Sequence, residues 1–114
     1  MSDCIFCKML KNEIKISSIF EDEFVLAFHD INPVAPVHVL IIPKKHINSM
    51  ADMTDEDSRY LCALTNAARV IAAQLGIDKS GFRIVANTND DGGQTVHHLH
   101  WHLLGGRRMM WPPG

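Results

Sequence analysis

Apolar and polar positions change their period along the chain, and each change marks an element. In Cys4 to Asn12, CIFCKMLKN, Ile5 and Met9 share one helical stripe with Phe6 and Leu10 beside them, and Asp3 stands ready as an N-cap. This predicts a short helix over 4–12. Ile16 to Phe20 is rich in β-branched residues, Phe24 to His29 is again branched, aromatic or apolar, and Glu21-Asp22-Glu23 between them is a polar turn, the pattern of a β-hairpin. Asn32-Pro33 and Ala35-Pro36 make a rigid loop, because each proline fixes its own φ and moves the preceding residue away from helix. Val37 to Ile42 predicts a third strand that stops at Pro43.

The longest periodic segment predicts a helix over 54–75. Thr54 caps it, Asp55, Glu56 and Asp57 suit its positive end, Gly76 closes it, and Leu61, Leu64, Ala68, Ile71 and Leu75 form the buried stripe. Cys62, on the same helix, reads as core. Phe82 to Ala86 and Val96 to Leu104 complete the strands, separated by the turn-rich run from Asn87 to Gly93. Strands that do not alternate with crossover helices imply an antiparallel sheet, so the fold class is α+β, with about five strands, one long helix and one short one.

Composition adds exclusions. The chain has 114 residues, 46% of them hydrophobic, with neither linker nor repeat, which predicts one domain over 1–114. Eleven Lys and Arg against thirteen Asp and Glu give a net charge of -2, and the basic residues cluster only in pairs, so binding to nucleic acid is not expected. The longest strongly apolar stretch, Val37 to Pro43, is too short to span a bilayer, and the N-terminus has no secretory pattern, which predicts a cytoplasmic protein without a membrane segment.

The chemistry lies in the histidines, of which seven occur and four fall within His97 to His102. In VHHLHWHLL, His98, His100 and His102 alternate with Leu99, Trp101 and Leu103, which places three imidazoles on one strand face at steps of about 6.6 Å. His97 points with the apolar residues and reads as structural. A purely structural strand would carry Val or Thr at such positions. Two chemistries use a histidine row: metal ligation, and nucleophilic catalysis by a neutral imidazole. The preceding loop favours the second, because Asn87, Gly92, Gly93, Gln94 and Thr95 offer donors and close backbone approach to a phosphate.

The run His98-Leu99-His100-Trp101-His102-Leu103-Leu104 resembles the His-φ-His-φ-His-φ-φ signature (φ hydrophobic) of the histidine triad, or HIT, superfamily of nucleotide hydrolases and transferases. FHDINPVAPVHVLIIPKKHI, GGQTVHHLHWHLLGG and the terminal WPPG extend the likeness, almost end to end, to the Hint-type branch. The resemblance implies a homodimer whose sheet continues across the two-fold axis, a purine-nucleotide pocket for AMP or GMP conjugates, and hydrolysis of nucleoside phosphoramidates. It implies His100 as nucleophile, His102 on the phosphate oxygens and His38 in proton relay behind the triad. It further implies Asn87, Gly93 and Thr95 at the phosphate or leaving group, and Asp30 on the ribose hydroxyls with His29 and Ile31 beside it. Ile5, Phe6, Met9, Ile14 and Phe28 would form the base-pocket wall, and Trp111 would reach the partner's site. Thr95 stands where a serine is common, and Trp101 fits only if the opposite sheet face has room.

Cys4-x-x-Cys7 brings two thiols together near a helix start, a weak signal alone. The resemblance completes it: relatives carrying such a pair close a zinc site with a histidine after a Pro-Lys segment and with the first triad histidine, here His46 and His98. A structural Zn2+ is therefore expected, and Mg2+ is not, since neither a carboxylate cluster nor a Gly-x-x-x-x-Gly-Lys loop occurs. Two other readings are dinucleoside polyphosphate hydrolysis, disfavoured by the WPPG tail, and a nucleotide-responsive interaction protein with incidental catalysis.

Overall fold

A computed structural model describes residues 3–114. Helix α1 (Ile5–Leu10) leads into strands β1 (Ser18–Glu21), β2 (Val25–His29) and β3 (Val37–Pro43); then come helix α2 (Ser58–Gln74), strand β4 (Phe82–Val85), the single helical turn α3 (Asn89–Gly92) and strand β5 (Trp101–Gly105). The five strands form one antiparallel sheet in the order β1-β2-β3-β5-β4. This is the expected α+β architecture.

The central strand explains the near-continuous apolar run of β3, because a strand covered on both faces has no solvent side to alternate with. On one face Val39 and Ile41 join Val25, Ala27, Leu99 and Leu103 against Ala63, Leu64, Ala67, Ala68, Ile71 and Ala72 of α2. On the other, Leu40 and Ile42 pack with Leu26, Phe28 and Phe6 of α1. Asp22 makes the hairpin turn, its Oδ1 accepting the N–H groups of Phe24 and Val25 at 2.8 Å each.

Several boundaries differ from expectation. The N-cap of α1 is Cys4, whose Sγ accepts the Cys7 N–H at 3.3 Å, in place of Asp3. The long helix begins with a 3-10 turn at Asp55–Asp57 closed by a Thr54–Asp57 capping box, and a further 3-10 turn at Met50–Asp52 precedes it. Asp57 is buried and paired with Lys45, which holds its carboxyl below the usual range and ties the start of α2 to the segment after β3. Leu61 and Leu75 are exposed, and so is Cys62, because alanines at 63, 67, 68 and 72 bring the helix close enough to the sheet to centre the buried stripe between them. The turn-rich run holds α3, capped by Gly93 in the left-handed region at φ +77°.

The largest correction concerns the histidine strand. Pairing begins at Trp101, not Val96, so His98 and His100 precede β5. Upstream, the ladder groups are engaged elsewhere: the Pro43 carbonyl accepts His98 Nε2–H at 3.0 Å, and the Leu99 N–H donates to Ile47 at 2.6 Å. The alternation nevertheless survives the loss of regular pairing, with Leu99 and Leu103 in the α2 core and the triad on the other side. Trp101 finds the room it needs against that same core, although its indole N–H has no acceptor.

Gly105, paired with both Val37 and Phe82, lies so close to buried Ile77 that an added Cβ would meet its Cδ1 at 2.6 Å and its Cβ and Cγ2 at 3.2 Å. Gly105→Ala should therefore destabilise the fold by about 1–3 kcal/mol in denaturant unfolding, as overpacking does. Gly92→Ala, where a Cβ meets nothing closer than 3.6 Å, should stay within about 0.5 kcal/mol of the parent.

Candidate active site and metal-ligand set

Antiparallel register assembles the site. Leu40 pairs with His102 and His38 with Leu104, so His38 and His102 are diagonal neighbours on one sheet face. Their rings lie 5.2 Å apart, and the His100 and His102 rings 5.0 Å apart.

Backbone groups assign the proton in this row, directly for His38 and His100 and through His38 for His102. The Val34 N–H donates to His38 Nδ1 at 3.1 Å, so neutral His38 carries its proton on Nε2. That Nε2–H lies 2.9 Å from His102 Nδ1 and 3.3 Å from Asp30 Oδ2. His102 thus accepts at Nδ1 and carries its own proton on Nε2. His100 is set the other way, its Nδ1–H donating to the His98 carbonyl at 2.8 Å and leaving the Nε2 lone pair free. Among the described residues, the Nε2 atoms of His100 and His102 have no hydrogen-bond partner. An imidazole lone pair and an imidazole N–H donor stand side by side.

Burial lowers the proton affinity of His102 and His38. His102 is pushed down to about 4, first by burial and then by the neighbouring His100 and His38 rings, against a smaller opposing effect of Asp30. His38 is also lowered by burial, with Asp30 opposing. Both rings are therefore neutral at pH 7.

An apolar cleft of about 460 Å³ adjoins the row. Phe6 links the two, its ring 5.1 Å from that of His100 and edge-on to Phe28 at 5.9 Å. Ile5, Met9, Phe28, His29, Asp30 and Ile31 line the cleft as expected, whereas half-buried Ile14 is absent from its wall. Sequence reading missed Lys15, Ile16, Ser17, Leu40 and Val96, which also line it. Leu40 was legible as the β3 neighbour of His38; Lys15, Ile16 and Ser17 required knowledge of how the connection after α1 folds back, and Val96 of how the chain bends into the triad. A hollow of about 510 Å³ on another side of α1, rimmed by Lys11, Glu21 and Lys44, contains none of the triad.

The donor loop is more internally bonded than its composition suggests. Gln94 is buried, donating to the Asn48 and Val96 carbonyls at 2.7 and 3.0 Å and accepting the Asn89 N–H at 3.0 Å. These bonds leave its amide shaping the loop. The Gly93 N–H donates to Asp90 at 3.0 Å. Asn87 is half-buried; Thr95 is exposed and lines a shallow hollow with Cys4, His46 and His97. His97 is exposed and does not join the apolar face, because the chain bends at 96–98. Trp111 is 79% exposed, beside Arg83, whose guanidinium lies 5.9 Å from the indole centroid.

A second cluster gathers Cys4, Cys7, His46 and His98, whose ligand atoms lie within 4.8 Å of one another. His98 Nδ1 is 3.3 Å from Cys4 Sγ and 3.6 Å from Cys7 Sγ, and His46 Nδ1 is 3.2 Å from Cys7 Sγ. Tetrahedral zinc, with Zn–S of about 2.3 Å and Zn–N of about 2.0–2.1 Å, sets sulfur–nitrogen separations of about 3.6 Å. Proton placement fits equally well. His98 Nε2–H donates to Pro43, and His46 Nε2–H to Asn48 Oδ1 at 2.8 Å, which leaves both Nδ1 lone pairs facing the sulfurs. Burial holds His98 down to about 4, hence neutral, and raises the Cys7 thiol, with adjacent Cys4 adding to the rise, so a cation would relieve the cost of a buried thiolate. The set can hold zinc.

Asp30, His38 and His102 also lie within metal-ligating distance. A metal on His38 Nε2 would require an imidazolate, because Nδ1 already accepts the Val34 N–H. The triad side is thus built for proton placement.

The HIT domain family model matches residues 11–109. The chain belongs to the HIT family. It is 48% identical over 112 residues, covering 98% of this chain and 97% of the relative, to an uncharacterized HIT-like protein of Synechococcus elongatus. A 14 kDa zinc-binding protein of Zea mays is 47% identical over 115 residues, covering 99% of this chain and 89% of that one. The crystal structure of a HIT family hydrolase from Legionella pneumophila superposes with a TM-score of 0.95 at 50% identity, covering 98% of this chain and all of that one. The HIT-like fold expected from the histidine run is therefore shown. No helix among the described residues is long and apolar enough to cross a membrane.

The depressed His102 sets a pH dependence for this HIT domain. The unfolded chain binds the proton more tightly, near the ordinary imidazole value of about 6.5. The stability His102 contributes is full above that pH and is lost as pH falls toward about 4. Urea midpoints should decline between pH 7 and pH 5, and His102→Asn, which keeps an acceptor toward His38, should make that decline shallower.

Proposed function

We propose that this HIT protein is a nucleotide hydrolase that cleaves the P–N bond of purine nucleoside 5′-phosphoramidates. The observation carrying this reading is the His98 carbonyl on His100 Nδ1, which leaves a free Nε2 lone pair beside an apolar cleft. The apolar walls suit a purine, and Asp30 at the cleft margin suits a ribose diol.

In the first step the His100 Nε2 lone pair forms a bond to the α-phosphorus, the P–N bond breaks, and the amine departs with a proton taken from solvent. Water then forms the new P–O bond, the N–P bond breaks, and nucleoside monophosphate leaves while water's proton returns to solvent. The His102 Nε2–H, held there by the bond from His38, donates to a phosphoryl oxygen as charge develops. Asn87, Gly93 and Thr95 are assigned to the phosphate or leaving group, which requires the loop to open its internal bonds toward the ligand. Zinc on Cys4, Cys7, His46 and His98 has a structural role, since a closed four-ligand set leaves no position for a reactive water. The functional unit is a single domain that pairs as a homodimer in the cytoplasm. Exposed Phe82 and Ile84 on edge strand β4 and Leu61 on α2 supply an apolar surface for that pairing, and Trp111 reaches the partner's site.

With an adenosine 5′-phosphoramidate as substrate, His100→Ala should lose turnover by a factor of about 10³ or more while AMP affinity stays within about threefold. Turnover at the parent rate in the variant would overturn the assignment. Metal analysis of the purified protein should find close to one zinc per chain, falling in Cys7→Ser together with the melting temperature.

A further inference from the structure

Arg107 belongs neither to the triad nor to the cleft, yet it grips a group on which the triad depends. Its Nε and Nη2 both donate to the Val34 carbonyl, at 3.2 and 3.0 Å. The N–H of the same Val34 is the donor that occupies His38 Nδ1. Val34 is 59% exposed, so its own burial does not hold it in place. The segment carrying Arg107 is itself seated on this loop: Gly106 has φ +88°, and an added Cβ there would lie 2.8 Å from Pro36.

We propose that Arg107 is a positioning residue that keeps the Val34 amide on His38 and thereby fixes the tautomer of the His38–His102 pair. With the amide in place, the His38 proton sits on Nε2 and the His102 proton on its outward Nε2. Were the amide withdrawn, only the longer contact of Nε2–H with Asp30 Oδ2 at 3.3 Å would still favour this tautomer, and part of the His38 population would carry its proton on Nδ1 and turn a lone pair toward His102. His102 would then take its proton on Nδ1 to meet that lone pair, and its Nε2 would cease to be a donor to the phosphoryl oxygen. One proton changes place on each ring, with no change in net charge.

Asp30 provides the control. It is anchored apart from Arg107, its N–H donating to the His38 carbonyl at 3.0 Å and its Oδ1 accepting the Asn32 N–H at 2.8 Å. Loss of the guanidinium should therefore leave the ribose carboxylate in place. The kinetic part of this inference rests on the hydrolase reading; the tautomer part is a property of the resting protein.

The experiment compares parent, Arg107→Ala and Arg107→Lys in adenosine phosphoramidate turnover, AMP affinity and 15N NMR of the His38 ring. In Arg107→Ala, kcat should fall about tenfold, AMP Kd should stay within about twofold, and the single Nε2–H pattern of His38 should become a mixture. Arg107→Lys should recover the pattern and most of kcat, because one ammonium N–H can replace two donors that share a single acceptor. An unchanged His38 pattern in Arg107→Ala would overturn the proposal. So would AMP affinity falling in step with kcat, which would mark a general loosening of the loop. If the parent fails to turn over the phosphoramidate, the hydrolase reading falls while the NMR comparison still decides the role of Arg107.

Discussion

The register between β3 and β5 is the constraint on which the rest depends. Pairing Leu40 with His102 puts His38 and His102 on the cleft face and Leu103 in the α2 core. A slip of one residue would exchange these faces, placing an imidazole against Leu64 and Ile71 and a leucine beside the cleft. Burying a polar ring without a partner is costly, and so is exposing a core leucine. The hydrophobic face thus enforces the register, and the register assembles the chemistry. This HIT chain needs no separate device to bring His38 to a histidine 64 positions away.

The second constraint is that a neutral imidazole has one proton for two nitrogens. Four histidines here have one nitrogen committed to a backbone group or amide carbonyl, and each commitment decides what the other nitrogen can do. Carbonyl acceptors at Pro43 and Asn48 turn the Nδ1 lone pairs of His98 and His46 toward the sulfurs; a carbonyl acceptor at His98 leaves His100 a free Nε2 lone pair; an amide donor at Val34 turns His38 into a donor. Adjacent triad members accordingly take opposite roles without any difference in residue type. His98 serves twice, its ring facing the sulfurs and its carbonyl orienting His100.

How much of this was legible in the chain follows from that logic. Alternation in the histidine run revealed the shared face, even though regular pairing begins only at Trp101. The Cys4, Cys7, His46 and His98 set and most of the cleft wall also came from sequence, through resemblance where spacing alone was weak. Proton placement was not legible, because it depends on backbone groups that every residue carries and no side-chain pattern marks. The same holds for Gln94, whose amide reads as a ligand donor until the Asn48 and Val96 carbonyls are found beside it. Helix α2 misled in another way: the leucines at 61 and 75 have the right period, but the alanines decide which face comes closest to the sheet. A small residue permits approach, and period alone cannot rank one face against its neighbour.

Helix α1 joins the two centres. It has only six residues, too few to be stable alone, so its position must come from what it touches. Cys7 faces the ligand set, while Phe6 meets both His98 and His100 edge-on, at 5.7 and 5.1 Å. The remaining wall residues of the helix, Ile5 and Met9, are not fully buried and so contribute little packing of their own. Cross-linking Cys4 and Cys7 to His46 and His98 through a metal would fasten this helix at one end to the segments that follow β3 and precede β5. A closed metal set would thus bear on the triad through geometry, because the wall it secures is the one that carries Phe6 to His100.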